Sequence, residues 1–158
     1  MVPHMIEQNH HTYIARALEE AELAATRDEV PIGAVMVHRN TGEIAIAQSN
    51  RTIELNDPTA HAEILAIRDV CAQLGIQRIP DYDLYVTLEP CTMCAAAIAF
   101  ARIPNLYIGA LDEKGGGVCH GAKFFDQPTC HHKIHVEHGF EAEKCGKILK
   151  DYFKSKRK

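Results

Sequence analysis

The sequence contains no run of apolar residues long enough to span a bilayer. The segment from Met1 to His11 is polar and lacks the apolar core of a signal peptide. These absences predict a cytoplasmic protein with no membrane partner. Internal repeats and low-complexity linkers are also missing, so the 158 residues predict one domain over positions 1–158. Residues 1–5 are set aside from its folded part, because Met5 offers a natural start.

An overall excess of positive charge is absent as well. The net charge is −4, so the surface as a whole is not expected to attract nucleic acid. Positive charge is instead concentrated in residues 147–158, which contain one acidic residue, Asp151, and six cationic residues: Lys147, Lys150, Lys154, Lys156, Arg157 and Lys158. This pattern fits a localised anionic partner, and equally a solvated helix end whose cations suit the macrodipole. The charge pattern alone leaves both interpretations open.

The six cysteines do not indicate disulfides, because the sequence carries no export signal. Metal binding and buried thiols are the better interpretations. Cys71 and Cys145 fall on apolar faces of predicted helices, which indicates core positions. Two Cys-His clusters, at positions 119–120 and 130–132, have glycine or proline close by and are predicted to lie in loops without forming a second metal site.

The spacing of apolar residues predicts helices and strands in the order α-β-β-α-β-α-β-β-α. Gly75 is the expected end of the second helix, and Asn40 to Gly42 the expected hairpin turn. This order predicts an α/β fold with three layers, in which a mixed sheet of about five strands has helices on both faces. The predicted helices cover 12–27, 61–74, 91–102 and 141–153, and the predicted strands cover 32–38, 43–47, 83–88, 105–110 and 133–138.

Two short segments at predicted helix starts carry candidate metal ligands. His61 opens the second helix, and Cys91 and Cys94 open the third, directly after Pro90. The two cysteines are three residues apart, so they share one helix face, and the positive end of the helix dipole stabilises their thiolates. One imidazole and two thiolates suit zinc. Three protein ligands leave the fourth tetrahedral position for water, which indicates a catalytic site.

Glu63 is the candidate proton carrier of this site. Two residues on a helix are about 200° apart, so His61 and Glu63 converge only if the helix end points at the metal. Two thiolates and a neutral imidazole leave a zinc centre without net charge, which should acidify water less than a three-histidine centre, where the pKa is about 7. A nearby base is therefore needed, and Glu63 is placed to supply it.

The pairing of H-x-E with P-C-x-x-C is the signature of zinc-dependent nucleobase deaminases. From roughly Thr12 to Arg157 the chain resembles the bacterial-type tRNA-specific adenosine deaminases of the cytidine-deaminase-like superfamily. The zinc motif marks only the superfamily, and longer strings together with the basic end narrow the resemblance. Those strings include Glu29–Val35, Asn50–Arg51, Asp57–Glu63, Tyr85–Cys91, Ala101–Ile103 and Asp151–Phe153.

The resemblance implies a cytidine-deaminase-like fold and the conversion of adenosine to inosine, with release of ammonia, at wobble position 34 of a tRNA anticodon loop. It implies one Zn²⁺ per subunit on His61, Cys91 and Cys94, with Glu63 as proton donor. It also implies a homodimer with the active site near the interface. The implied substrate-binding residues are Asn50 for the target base and, for the RNA, Lys114, Phe153, Lys154, Lys156 and Arg157.

Other interpretations of the same residues remain open. A deaminase of a free base or nucleoside, such as cytosine, guanine or dCMP, would use the same zinc chemistry, although the basic end and residues 57–63 argue against it. A non-catalytic RNA-binding zinc module is a second rival, against which Glu63 and the missing fourth ligand argue. Single residues also have alternative interpretations. Asparagine is common in turns, so Asn50 could be a turn residue. Phe153 could be core, and the small residues of 95–99 could pack within the subunit.

Overall fold

Five strands form one mixed sheet between two layers of helices in a computed structural model that describes residues 3–157, with side chains from residue 9 onward. The element order and the three-layer α/β architecture predicted from the sequence are confirmed. The elements are α1 (Pro3–Thr26), β1 (Gly33–His38), β2 (Ile44–Ser49), α2 (Ala62–Leu74), β3 (Tyr82–Leu88), α3 (Thr92–Phe100), β4 (Asn105–Ala110), β5 (His135–His138) and α4 (Ala142–Lys156), with a 3₁₀ turn at Phe124–Asp126.

The strands are arranged in the order β2-β1-β3-β4-β5. β1 is antiparallel to both β2 and β3, whereas β3, β4 and β5 are mutually parallel. Because β3 and β4 are parallel, α3 is the crossover between them, and it starts at the carboxyl edge of the sheet. In open α/β sheets this edge is where ligands bind, so the topology places the start of α3 where a functional site is expected.

The sheet buries apolar side chains on both faces, and successive residues of a strand alternate between them. On one face Leu84 and Val86 of β3 pack under α2 and α3, with Ile98 as a central contact. On the other face Tyr85 packs against α1 and α4, where the predicted core residue Cys145 is fully buried. Cys71, predicted to be core as well, is only half-buried.

Helix ends differ from the sequence-based boundaries. α1 spans Pro3–Thr26, so it extends well before the predicted start at Thr12. The set-aside segment 1–5 therefore partly belongs to α1, and residues 1–2 lie outside the described residues. α3 ends at Phe100, since Arg102 adopts a left-handed φ of 62°. Gly75 ends α2 in the left-handed conformation, as predicted.

None of the helices described between residues 3 and 157 is long and apolar enough to cross a membrane.

Candidate active site

His61, Cys91 and Cys94 meet where α2 and α3 begin. His61 and Cys91 are the N-cap residues of their helices, and Cys94 lies in the first turn of α3. His61 Nδ1 lies 3.6 Å from Cys91 Sγ and 3.4 Å from Cys94 Sγ. Among the residues that the structure describes, this is the one group of three His, Cys, Asp or Glu side chains close enough to share a metal ion.

The donor spacing of this group fits zinc. With bonds of about 2.3 Å to sulfur and about 2.0 Å to nitrogen, tetrahedral angles require about 3.5 Å between the two donors. The two observed distances, 3.4 and 3.6 Å, bracket that value. An imidazole nitrogen and two sulfurs are also the donor types that favour zinc over oxygen-seeking cations. Geometry and donor chemistry therefore agree on one Zn²⁺.

The electrostatics of the group favour loss of a thiol proton. The hydrogen bond with Cys94, together with that of His61, lowers the pKa of Cys91 to about 4. The same contact with Cys91 raises the pKa of the His61 imidazole and, with burial, that of the Cys94 thiol. Because a thiolate is the form that ligates a metal, the lowered pKa of Cys91 favours zinc binding, and the Cys94 thiol must lose its proton when the ion binds.

Glu63 lies within the same cluster, in the first turn of α2. It is 3% exposed, and its Oε1 has no hydrogen-bond partner among the residues that the structure describes. Burial raises the pKa of Glu63 to about 7. The convergence of Glu63 with His61 follows from the position of His61, which caps the helix in an extended conformation rather than lying within it. A carboxyl group poised near neutrality can both accept and return a proton.

Asn50 provides a second unpaired polar atom near this cluster. It directly follows β2 and is buried, yet its Oδ1 has no hydrogen-bond partner within the described part of the chain. The neighbouring Arg51 N–H donates to the Ala60 carbonyl, which ties Asn50 to the segment leading into His61. Buried hydrogen-bond acceptors almost always have a donor, so an unpaired acceptor in a candidate active site indicates a position that can accept a hydrogen bond from a ligand. The alternative interpretation of Asn50 as only a turn residue does not explain why its side chain is buried.

Glu89 was assigned no role from the sequence. It lies between β3 and Cys91, is buried, and accepts hydrogen bonds from the backbone N–H groups of Asp112, Val118, Cys119 and His120 and from the His120 ring. Burial opposes its ionisation, but these hydrogen bonds outweigh burial and lower its pKa. Glu89 therefore holds the glycine-rich stretch 112–120 against the start of α3. A lone carboxylate between a strand and a proline was its only sequence signal.

Three side chains of the two Cys-His segments have hydrogen-bond partners within the protein. His120 contacts Glu89, the His132 ring contacts the Ile103 carbonyl, and Cys130 Sγ donates to the His132 carbonyl. These contacts hold His120, Cys130 and His132 in place.

The predicted RNA-contacting residues fall into two places. Lys114 is exposed on the stretch held by Glu89, while Phe153, Lys154, Lys156 and Arg157 are exposed at the end of α4. Phe153 is 46% exposed, which excludes the core interpretation. The other cation predicted at this end, Lys158, lies outside the described residues.

The end of α4 also contacts the turn after α1. Lys156 pairs with the Asp28 carboxylate, and the Tyr152 hydroxyl donates to the Asp28 carbonyl at 3.1 Å. The basic end of α4 is thereby anchored to the body of the protein.

The small residues of α3 pack partly within the subunit. Ala95, Ile98 and Ala99 are buried, whereas Met93 and Phe100 are exposed, Phe100 to 70%. The predicted close packing of this helix is therefore satisfied on one face by the chain itself.

Comparison with known proteins identifies relatives along nearly the whole chain. Residues 7–110 match the family described as the cytidine and deoxycytidylate deaminase zinc-binding region. A tRNA-specific adenosine deaminase of Agrobacterium fabrum is 55% identical over 97% of this chain and 98% of its own length. A protein of the same name from Aquifex aeolicus is 41% identical over 92% of this chain and 94% of its own length.

Solved structures agree with this result. A structure from a study of A-to-I editing by tRNA:A34 deaminases at the wobble position of transfer RNA is 56% identical. It superimposes with a TM-score of 0.84 over 87% of this chain and 99% of that chain. Guanine deaminase from Nitrosomonas europaea has a TM-score of 0.79 over 96% of this chain and 94% of its own chain, at 20% identity, which establishes a shared fold alone.

Proposed function

Since this chain belongs to the zinc-dependent deaminases and, among them, to the family of tRNA-specific adenosine deaminases, we propose that it converts adenosine to inosine at wobble position 34 of a tRNA anticodon loop. Water is consumed and ammonia is released. The observation that carries this proposal is the buried carboxyl of Glu63, which has one unpaired oxygen and lies beside three donors at zinc spacing.

His61, Cys91 and Cys94 would hold one Zn²⁺ per subunit. When bound, zinc supplies the Lewis acidity that activates water for hydrolysis. The protein contributes the thiolate character of Cys91 and the fixed position of the three donors at two helix starts.

Glu63 moves the protons. With a pKa near 7, its carboxylate takes one proton from the attacking water and gives it to the ring nitrogen of adenine. It then takes the second proton, from the newly formed hydroxyl group, and gives it to the departing amine. Its burial excludes bulk water, so the proton stays within the site. A single carboxyl group can serve both steps, because it returns to its starting form when ammonia leaves.

Asn50 orients the target base. Its buried, unpaired Oδ1 is a hydrogen-bond acceptor that fits an N–H donor on the base edge. The base must leave its stack to reach this position, and a hairpin loop exposes bases at a lower unstacking cost than a duplex does. An anticodon loop is therefore a suitable substrate.

Cations around the site would position the RNA through its phosphates. Lys114, Lys154 and Arg157 are exposed, and Phe153 offers an exposed ring on which a base can stack. Lys156 would contribute from its exposed ion pair with Asp28, a contact that phosphate can compete for.

Two chains would form a homodimer. The apolar side chains of Ile53, Met93 and Phe100 are exposed on a single chain, and their burial against another copy would favour pairing. We place the enzyme in the cytoplasm, where its tRNA substrate is found.

The direct test is to incubate the protein with an anticodon hairpin carrying adenosine 34, and with free adenosine, and to measure inosine in each. Inosine is expected from the hairpin only, and a hairpin with guanosine 34 and adenosine elsewhere in the loop is the matched negative control. Equal rates on the hairpin and on free adenosine would support the nucleoside deaminase instead. RNA binding with zinc but no ammonia would support the non-catalytic module.

A further inference from the structure

Glu29 is a buried carboxylate that the proposed chemistry does not use. It lies in the turn between α1 and β1 and is 1% exposed. Its Oε2 accepts a hydrogen bond from the Glu54 N–H at 2.8 Å, and its Oε1 accepts from the Ile53 N–H at 3.1 Å and the Thr52 hydroxyl at 3.5 Å. Both oxygens accept and neither donates, so this carboxylate serves as an anchor for one loop.

Arg27, two residues earlier, holds the other side of the same loop. Its Nη2 donates to the Ser49 hydroxyl at 2.6 Å and to the Asn50 carbonyl at 3.3 Å. The turn itself is fixed, because the Glu29 N–H donates to the Ala24 carbonyl of α1 at 2.9 Å. Asn50 is thus bracketed by two contacts from a single turn of the chain.

We propose that Glu29 is a positioning residue that fixes the loop of residues 50–54 and, through it, the Asn50 amide against the target base. Asn50 Oδ1 is buried without a partner, so its usefulness depends on where the backbone places it. Displacement of a positioning group by about 1 Å can cost about 100-fold in rate. The proposal rests on the base-binding role proposed for Asn50.

Glu29→Gln tests this anchor because it replaces one acceptor oxygen by an NH₂ group, which would face a backbone N–H or the Thr52 hydroxyl. Turnover of the adenosine-34 hairpin is expected to fall about 10-fold to 100-fold in kcat/KM, with zinc content unchanged. Hydrogen exchange at the Ile53 and Glu54 amides is expected to become faster. Glu20→Gln is the matched control. Glu20 is a buried glutamate like Glu29, but it lies within α1 and pairs with Arg16 instead of the loop of residues 50–54.

A double-mutant cycle separates positioning from general structural damage. If Glu29 acts through Asn50, adding Glu29→Gln to Asn50→Ala should lower kcat/KM little further than Asn50→Ala alone. Glu29→Asp, which keeps the charge, is expected to fall between wild type and Glu29→Gln in turnover and in amide exchange. It also provides the same two measurements if Glu29→Gln does not fold.

Additive losses in the double variant, or unchanged exchange at the two amides, would overturn the proposal while leaving the role of Asn50 intact. Normal hairpin turnover by Asn50→Ala alone would overturn the base-binding role itself and the proposal with it. The two failures are therefore distinguishable in one set of variants.

Discussion

At the scale of single residues, the site combines three buried acidic groups with different tasks. Glu63 has an unpaired oxygen beside the zinc donors. By contrast, the carboxylate oxygens of Glu29 and Glu89 already accept hydrogen bonds from backbone N–H groups. A carboxylate that already accepts several hydrogen bonds has little capacity to move protons. These hydrogen bonds therefore support the proton transfer proposed for Glu63 and the positioning role proposed for Glu29, and they show Glu89 holding a loop.

Glu63→Gln is expected to abolish turnover while zinc remains bound. Glutamine has nearly the same shape, but it cannot accept and return a proton, and proton transfer contributes about 100-fold to 10,000-fold to a rate. Hairpin turnover measured with zinc content by elemental analysis tests both halves of the prediction.

Cys91→Ser is the informative contrast, since it is expected to lose zinc and turnover together. A Glu63→Gln protein that retains a near-normal rate would remove Glu63 from the proton pathway.

The sequence was sufficient to predict that His61, Cys91 and Cys94 come together, because short motifs at helix starts carry their own geometry. The role of Glu63 as proton carrier stays a prediction. The sequence was insufficient for Glu29 and Glu89, whose partners are 23 to 31 residues away along the chain. Such contacts depend on how loops fold back on the sheet, and no local pattern encodes them.

At the scale of elements, the start of α3 depends on the glycine-rich stretch that wraps around Glu89. A Cβ at Gly116 would lie 2.2 Å from Glu89 Oε2, and a Cβ at Gly117 would lie 2.5 Å from the backbone nitrogen of Thr92. Two glycines thus allow this stretch to approach both the carboxylate and the first turn of α3. The zinc-binding cysteines are held by this packing as well as by their own helix.

Gly116→Ala is expected to destabilise the fold by about 1–3 kcal/mol, because the added methyl group must displace a buried carboxylate. Urea denaturation monitored by circular dichroism measures this change. Gly146→Ala provides the control, because the residue is inside α4 and no described atom outside its own helical backbone and chain neighbours lies within 4 Å of a Cβ there. It should raise stability by about 0.5–1 kcal/mol. Equal stability of the two variants would show that the close packing of residues 112–120 on Glu89 does not contribute to the stability of the fold.

Periodicity predicted the four α-helices and the five strands, but not the ends of these elements or the 3₁₀ turn at Phe124–Asp126. The left-handed conformations of Asp28 and Arg102 end or redirect the chain at residues that are not glycine. Turns of this kind are imposed by tertiary contacts, such as those between Asp28 and α4, and an isolated sequence pattern does not signal them.

At the scale of the whole molecule, one turn connects the basic end of α4 to the loop that holds Asn50. Asp28 contacts Lys156 and Tyr152, while its neighbours Arg27 and Glu29 hold that loop. An RNA bound at the end of α4 would therefore contact an element that the turn of residues 27–29 connects to the loop carrying Asn50. The acidic remainder of the chain, with a net charge of −4 overall, limits RNA attraction to such local patches.

The double variant Lys154→Gln, Arg157→Gln is expected to weaken hairpin binding without lowering the rate at saturating RNA. Both side chains are exposed cations without a role in the chemistry, so they act on binding and not on the reacting atoms. The slope of log affinity against log salt should become shallower by roughly 0.7–0.9 per cation removed. Lys144→Gln is the control, because Lys144 is exposed on the same helix but already pairs with Glu141. A slope that changes equally in the control would indicate a diffuse charge effect, whereas a change confined to the double variant would assign phosphate contacts to the end of α4.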